Sequence, residues 1–318
     1  MKCNLNRRGF LKTTSALGVG LGLARFGGAG LLAADSVVKG APNAEKLGWR
    51  LGMQAWTFHN GTLFEAIDKT ASLGLHYIEA IPGQRVSKDI GEGFGEGLTP
   101  NVRTAIKKKL SDSGVKLVNF GVVGLFKEAD KSRKVFEFAK DMGIETIATE
   151  PAEDAFDTLD KLAQEFGINV AVHNHPKPSI YWNPDTELKV FKGRSNRIGA
   201  CADTGHWPRS GLNPIECLKK LEGRLISFHL KDLNKMAADA HDVPWGTGVC
   251  DVKGILNEIH RQKVKAVFSI EYEYNWDHAM DEIAKCVAYF NTVAGEIAAS
   301  EPAVKTRRGL LKRRREST

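Results

Sequence analysis

The residues best suited to chemistry sit in four short stretches: Ala148-Thr149-Glu150-Pro151, Cys201-Ala202-Asp203-Thr204-Gly205-His206-Trp207, Phe228-His229-Leu230-Lys231-Asp232 and Ser269-Ile270-Glu271. Each stretch ends an apolar run short enough to be a buried strand and hands over to polar, turn-forming residues. Glu150, Asp203, His229 and Glu271 together form a mostly hard ligand set. It suits one divalent cation with open positions, Mn²⁺ first, with Co²⁺, Mg²⁺ or Zn²⁺ as options. Without a counter-ion, three converging carboxylates would repel and one would tend to keep its proton. Any one of these acids is also explained as a helix cap or salt-bridge partner; four at corresponding positions are harder to explain that way. Further polar residues stand at other apolar-run ends: Gln54, Trp56 and His59, Glu79, His173-Asn174-His175, and Glu273.

The elements that must position these groups show as a recurring pattern. A helical stretch ends at a glycine and a β-rich run begins at once, as in Ser72-Leu73-Gly74, Asp112-Ser113-Gly114, Asp141-Met142-Gly143, Glu165-Phe166-Gly167 and Leu221-Glu222-Gly223. Glycine suits the residue after a helix because that position often needs positive φ. With Leu51–Trp56, Arg197–Ala202 and Val264–Ile270, eight strands are expected, at 51–56, 76–81, 115–121, 144–149, 168–173, 197–202, 225–230 and 264–270. Strands alternating with helices mean a parallel sheet. Eight units in about 250 residues match a single-domain α/β fold, the (β/α)8 TIM barrel, over residues 48–298. An open doubly wound sheet would carry a glycine-rich phosphate fingerprint after an early strand. The glycines at 91–97 follow no strand directly and read as a loop. In a barrel, side chains at the C-terminal strand ends converge on one site.

Charge is concentrated at the two ends of the chain. The net charge is +7, but residues 1–34 carry +5 and residues 303–318 carry +6, so residues 35–302 carry −4. A mildly acidic body argues against a nucleic-acid groove. No apolar run is long enough for a stable membrane span. Five cysteines without CxxC spacing argue against a zinc knuckle and leave disulfide pairing undetermined. Residues 1–34 have a charged start, a short apolar middle and a small-residue exit, the layout of a signal peptide. Asn6-Arg7-Arg8-Gly9-Phe10-Leu11-Lys12 resembles a twin-arginine export signal, which implies the twin-arginine machinery as a partner and a periplasmic destination. The tail over 303–318 reads as a basic, disordered end.

Taken in order, the four stretches resemble the xylose isomerase-like barrel superfamily, in its sugar phosphate isomerase/epimerase branch, over roughly residues 48–298. The resemblance implies a metal held by Glu150, Asp203, His229 and Glu271. In the ketose 3-epimerases of this superfamily the first and last glutamates flank the substrate and would map to Glu150 and Glu271 as catalytic residues. His206 matches a substrate-binding histidine. Two positions depart from that pattern: Lys235 replaces an arginine six residues after the metal histidine, and Phe156 replaces a substrate-binding glutamate six residues after the first ligand.

The chemistry expected is proton abstraction next to a carbonyl by a metal-dependent sugar isomerase or epimerase, with one glutamate as base and the other returning a proton. His175, His206, Lys231 and Lys235 are candidates for substrate contacts, and Trp56 for stacking on a sugar face. The loop from Asp232 to Val249 is a candidate flap. Export favours a free sugar, keto-sugar or cyclitol over a sugar phosphate. The alternatives are a dehydratase or lyase sharing the first step, and a non-catalytic carbohydrate-binding barrel. Oligomeric state is not legible in the sequence.

Overall fold

The computed structural model describes residues 39–300. The export signal expected over 1–34 and the basic tail over 303–318 lie outside the described residues. The expected barrel is observed: eight parallel strands close in sequence order, β1 (Arg50–Gln54), β2 (Tyr77–Ala80), β3 (Lys116–Phe120), β4 (Thr146–Thr149), β5 (Asn169–His173), β6 (Ile198–Asp203), β7 (Leu225–Leu230) and β8 (Val267–Ile270). β8 returns to β1 with Leu51 opposite Phe268. Burial along the strands is nearly continuous because the barrel covers one face and the helices the other; every residue of β4, β6 and β8 is buried.

Local chemistry explains the element ends. Gly143 and Gly167 close their helices at φ 75° and 70°, the left-handed region where a side chain would be strained. β1 stops at Gln54, two residues earlier than expected. The Gln54 side chain accepts from Trp56 N at 3.1 Å and starts a 3₁₀ turn, Ala55–Phe58. The ordered fold also begins before residue 48. A short helix, Pro42–Lys46, is tied to the last helix, Ala279–Ser300, where Asn43 N donates to Asn291 Oδ1 at 2.9 Å.

Pairing register aligns the chemical residues. Asp203 lies opposite His229, His229 opposite Ser269, and Gln54 opposite Glu79. Register shifts just before Glu79 and just before Cys201 set which side chains turn inward. Cys201, Cys217, Cys250 and Cys286 are buried free thiols. None of the described helices is long and apolar enough to cross a membrane.

One buried charge is poorly served by this packing. Glu187, in the helix Pro184–Phe191, is fully buried and neither carboxylate oxygen has a hydrogen-bond partner. Burial, helped by the charge of Glu150, raises its carboxyl well above the ordinary 4.5. The folded chain therefore keeps a proton that the unfolded chain releases, and stability falls as pH rises from about 4.5 toward the folded value. Glu187→Gln should raise the thermal unfolding midpoint at pH 7, with the gain shrinking toward pH 4. Midpoints that match the parent across that range would contradict this reading.

Candidate active site

The site is built on the ends of β5 to β8. Asp203 closes β6, and its main chain is clamped to the segment after β5. Asp203 N donates to Asn174 Oδ1 at 2.7 Å, and Asn174 Nδ2 donates to the Asp203 carbonyl at 3.0 Å. Asp203 Oδ1 accepts from the main-chain N–H groups of Gly205 and His206, at 2.8 and 2.7 Å, which leaves Oδ2 for other partners. The Thr204 hydroxyl latches β6 to β7, accepting from Lys231 N at 2.9 Å and donating to the Lys231 carbonyl at 3.1 Å. Gly205 lies against the lysine stem: a Cβ there would come within 2.7 Å of Lys231 Cβ.

At the centre of the cluster is the Lys231 ammonium, with 1% of the residue exposed. It donates to Asp203 Oδ2 at 2.7 Å and Glu271 Oε2 at 2.5 Å, and lies 2.9 Å from Glu273 Oε2. Asp203 and Glu271 accept two of its hydrogens, and His206 Nε2 lies 3.5 Å away. Burial opposes the charge, but Asp203, Glu271 and Glu273 hold the ammonium well above the ordinary lysine range. The converse holds for the acids. Burial would raise both, but the Lys231 ammonium holds Asp203 well below its ordinary range, and Lys231 and His229 do the same for Glu271. Glu273 carries the network outward: its Oε2 also accepts from Arg209 Nη1 at 3.2 Å, and its Oε1 from Trp56 Nε1 at 3.1 Å.

His229 lies between two carboxylates. Its Nδ1 is 3.1 Å from Glu271 Oε2 and its Nε2 is 3.0 Å from Glu79 Oε1. Glu79 is fixed from β8 by the Ser269 hydroxyl at 2.6 Å. Burial opposes protonation, but the acids on both sides hold His229 well above its ordinary value. His173 and His206 behave in the opposite way. Burial outweighs their attraction to Asp203 and keeps both below the ordinary histidine value, so each is a neutral imidazole; the lone pair of His206, at Nδ1, accepts from Arg209 Nη1 at 3.0 Å. His173 Nδ1 is buried and has no partner.

Ligand atoms of His173, Asp203, His206 and Glu271 lie within 4.8 Å of one another, and those of Glu150, His173 and His175 form a second such group. Two neutral imidazoles and two carboxylates fit a divalent cation, and the set does not choose among Mn²⁺, Co²⁺, Mg²⁺ and Zn²⁺. A cation here would draw on the same carboxylate oxygens as the Lys231 ammonium. Of the four ligands expected from sequence, Asp203 and Glu271 fall in the first group. His229 adjoins it through Glu271, and Glu150 belongs to the second group.

Glu150 is held by the segment after β5. Its Oε1 accepts from His175 N at 3.0 Å and from the Ser179 hydroxyl at 2.9 Å, and lies 3.0 Å from His175 Nδ1. Burial works against the charged form of both partners, but their mutual hydrogen bond outweighs it. Glu150 is held below its ordinary range and His175 above its own. A cleft of about 270 Å³ opens onto the cluster, lined among others by His175, Glu271, Glu273, Gln54 and Trp56. Lys235 is placed elsewhere, exposed and paired with Asp239 at 2.6 Å. Phe156 is fully buried in the core. The loop after β7 is tied down by Asp232, whose carboxylate accepts from the N–H groups of Leu233, Gly246, Gly248 and Cys250 at 2.9–3.0 Å.

The fold agrees with the comparisons to known proteins. The chain belongs to the xylose isomerase-like TIM barrel family, whose model matches residues 67–290. A solved structure of an uncharacterized protein from Parabacteroides distasonis ATCC 8503 is 34% identical, with a TM-score of 0.64 over 77% of this chain and 99% of that one. A D-tagatose 3-epimerase-like protein, 18% identical, shares the fold with a TM-score of 0.60 over 78% of this chain and 99% of its own. An inosose dehydratase 2 of Bacillus cereus is 32% identical over 91 residues, 29% of this chain and 30% of that protein. The match thus spans less than a third of that curated relative.

The central ammonium makes a direct prediction. Lys231→Met leaves Asp203 and Glu271 buried without their counter-charge, so the variant should lose about 3–5 kcal/mol in a metal-free urea titration. Added Mn²⁺ should recover much of that loss. A variant that unfolds like the parent without metal, or one that stays destabilised at saturating Mn²⁺, contradicts the assignment.

Proposed function

We propose that the chain is a metal-dependent sugar isomerase or epimerase that removes a proton next to a carbonyl of a free sugar, keto-sugar or cyclitol. The observation that carries this reading is the pairing of Glu271 with His175 on one cleft. One is an ionised carboxylate beside a buried ammonium; the other is an imidazole with raised proton affinity. Groups whose surroundings push their proton affinities apart divide the roles of base and acid. A divalent ion held by His173, Asp203, His206 and Glu271 would polarise the substrate carbonyl and make the neighbouring proton easier to remove.

In this reading Glu271 accepts the proton. Lys231, already in contact with it, places positive charge beside the oxygen where negative charge develops. His175 returns a proton, with Glu150 orienting its ring. Gln54, His175 and Glu273 line the cleft and can hold substrate hydroxyls, whereas His206 and Lys231, expected in that role, are buried and do not line it. Return of the proton to the opposite face gives epimerisation, and return at the neighbouring carbon gives isomerisation. The substrate is proposed to be uncharged. Among the described residues lining the cleft there is no arginine or lysine, and Glu271 and Glu273 would repel a phosphate. The expected twin-arginine signal supports the same choice, and we place the enzyme in the periplasm on that basis.

Dehydration is the second reading, favoured by the local match to inosose dehydratase 2. Here Glu271 takes the same proton while His175 protonates a β-hydroxyl, which leaves as water.

The test is solvent-proton exchange into candidate sugars in heavy water with Mn²⁺ present. Glu271→Gln should slow exchange by about 10²–10⁴-fold. Full exchange in that variant removes the proposed base. Loss of water from the product selects dehydration, and binding without exchange selects a carbohydrate-binding barrel.

A further inference from the structure

The exposed large hydrophobic side chains of the described residues are Trp56, Phe126, Ile180, Met236, Val249 and Tyr274. All six follow the C-terminal end of a strand: β1, β3, β5, β7 twice, and β8. That end of the barrel carries the site, and apolar surface concentrated around one mouth marks a binding surface.

Trp56 is the best defined of the six. It lines the cleft with Glu271 and Glu273, yet it is 40% exposed. One ring face lies on His59, with centroids 4.4 Å apart and planes 21° off parallel. Trp276 stands edge-on to both rings, 4.5 Å from His59 and 6.5 Å from Trp56. The indole N–H is held by Glu273 Oε1 at 3.1 Å. The ring is therefore held on one face by His59, by the T-shaped contact with Trp276 and at its nitrogen, yet it stays 40% exposed. A rigid aromatic surface loses little freedom on binding, so it is pre-organised for a flat apolar partner.

Glu273 fixes where that partner lies. Its Oε1 holds the Trp56 ring and its Oε2 lies 2.9 Å from the Lys231 ammonium. The platform thus stands one carboxylate outward from the group that touches Glu271. A sugar ring seated against Glu271 and His175 leaves the exposed part of Trp56 to whatever is attached to that ring.

We propose that this face is a subsite for a second pyranose ring, so that the sugar that reacts carries a second sugar as a substituent. The proposal rests on the reading of Glu271 as the place of the reacting ring. A pyranose fits the platform because its axial C–H face is apolar while its rim carries hydroxyls, which matches an indole bordered by the Glu273 carboxylate.

The test uses the full chain loaded with Mn²⁺ and paired probes measured by calorimetry: methyl β-D-glucopyranoside against cellobiose, methyl β-D-galactopyranoside against lactose, and methyl β-D-xylopyranoside against xylobiose. In at least one pair the disaccharide should bind roughly five- to tenfold more tightly. In Trp56→Ala the ratio within that pair should fall to about one, while Trp56→Phe should keep most of it. Circular dichroism and light scattering verify that both variants fold and keep the parent's oligomeric state. Equal affinities within every pair, including no binding at all, overturn the proposal. So does a ratio unchanged in Trp56→Ala, or a change of oligomeric state in that variant, which would mean the ring covers a partner. Because the readout is a ratio of affinities, it is independent of proton exchange. A disaccharide preference without exchange would keep the subsite and remove the enzyme.

Discussion

The buried ammonium of Lys231 sets the terms for everything around it. Two carboxylates taken fully out of water at the end of a barrel would be intolerable without positive charge. The chain supplies that charge as the side chain of the residue two positions after His229. Much local sequence serves this placement. Thr204 latches the main chain of Lys231 to β6. Gly205 leaves room for the lysine stem, and Asn174 fixes the main chain of Asp203. The β6–β7 register sets Asp203 opposite His229, which brings the lysine within reach of the same carboxylate.

Around that charge the site divides its protons. His173 and His206 are neutral imidazoles, the second with its lone pair taken by Arg209, while His229 between Glu79 and Glu271 carries positive charge. His175 gains proton affinity from Glu150, on the other cation-binding group. Four histidines thus acquire three different characters from their neighbours alone. The histidines share one chemistry, so burial and the distance to the nearest carboxylate decide which can serve as ligand, counter-charge or acid.

Much of the barrel was legible in the sequence because its signals are local. Apolar runs after glycines at 74, 114, 143, 167 and 223 mark strand starts, and all five glycines adopt positive φ. Asp203, Lys231 and Glu271 were legible because they sit at or just beyond strand ends. The less legible features depend on contacts between distant segments. Glu150 turns to His175 and Ser179 because the segment after β5 folds back over β4, and no spacing around Glu150 reports that. Glu79 reaches His229 across 150 positions of sequence, and register alone brings them together. His173 stood in view beside His175, but its lack of a partner at Nδ1 shows only in three dimensions. Lys235 matched a family position by count, yet the chain turns away there and the side chain pairs locally with Asp239.

The central claim is that a divalent cation and the Lys231 ammonium answer to the same pair of carboxylates. Anomalous diffraction from crystals grown with Mn²⁺ tests it most directly. A manganese peak is expected within bonding distance of Asp203 and Glu271, with the Lys231 ammonium displaced from Asp203 Oδ2. A peak elsewhere, or no peak at saturating Mn²⁺ with Lys231 still bridging the two acids, would rule out a shared site.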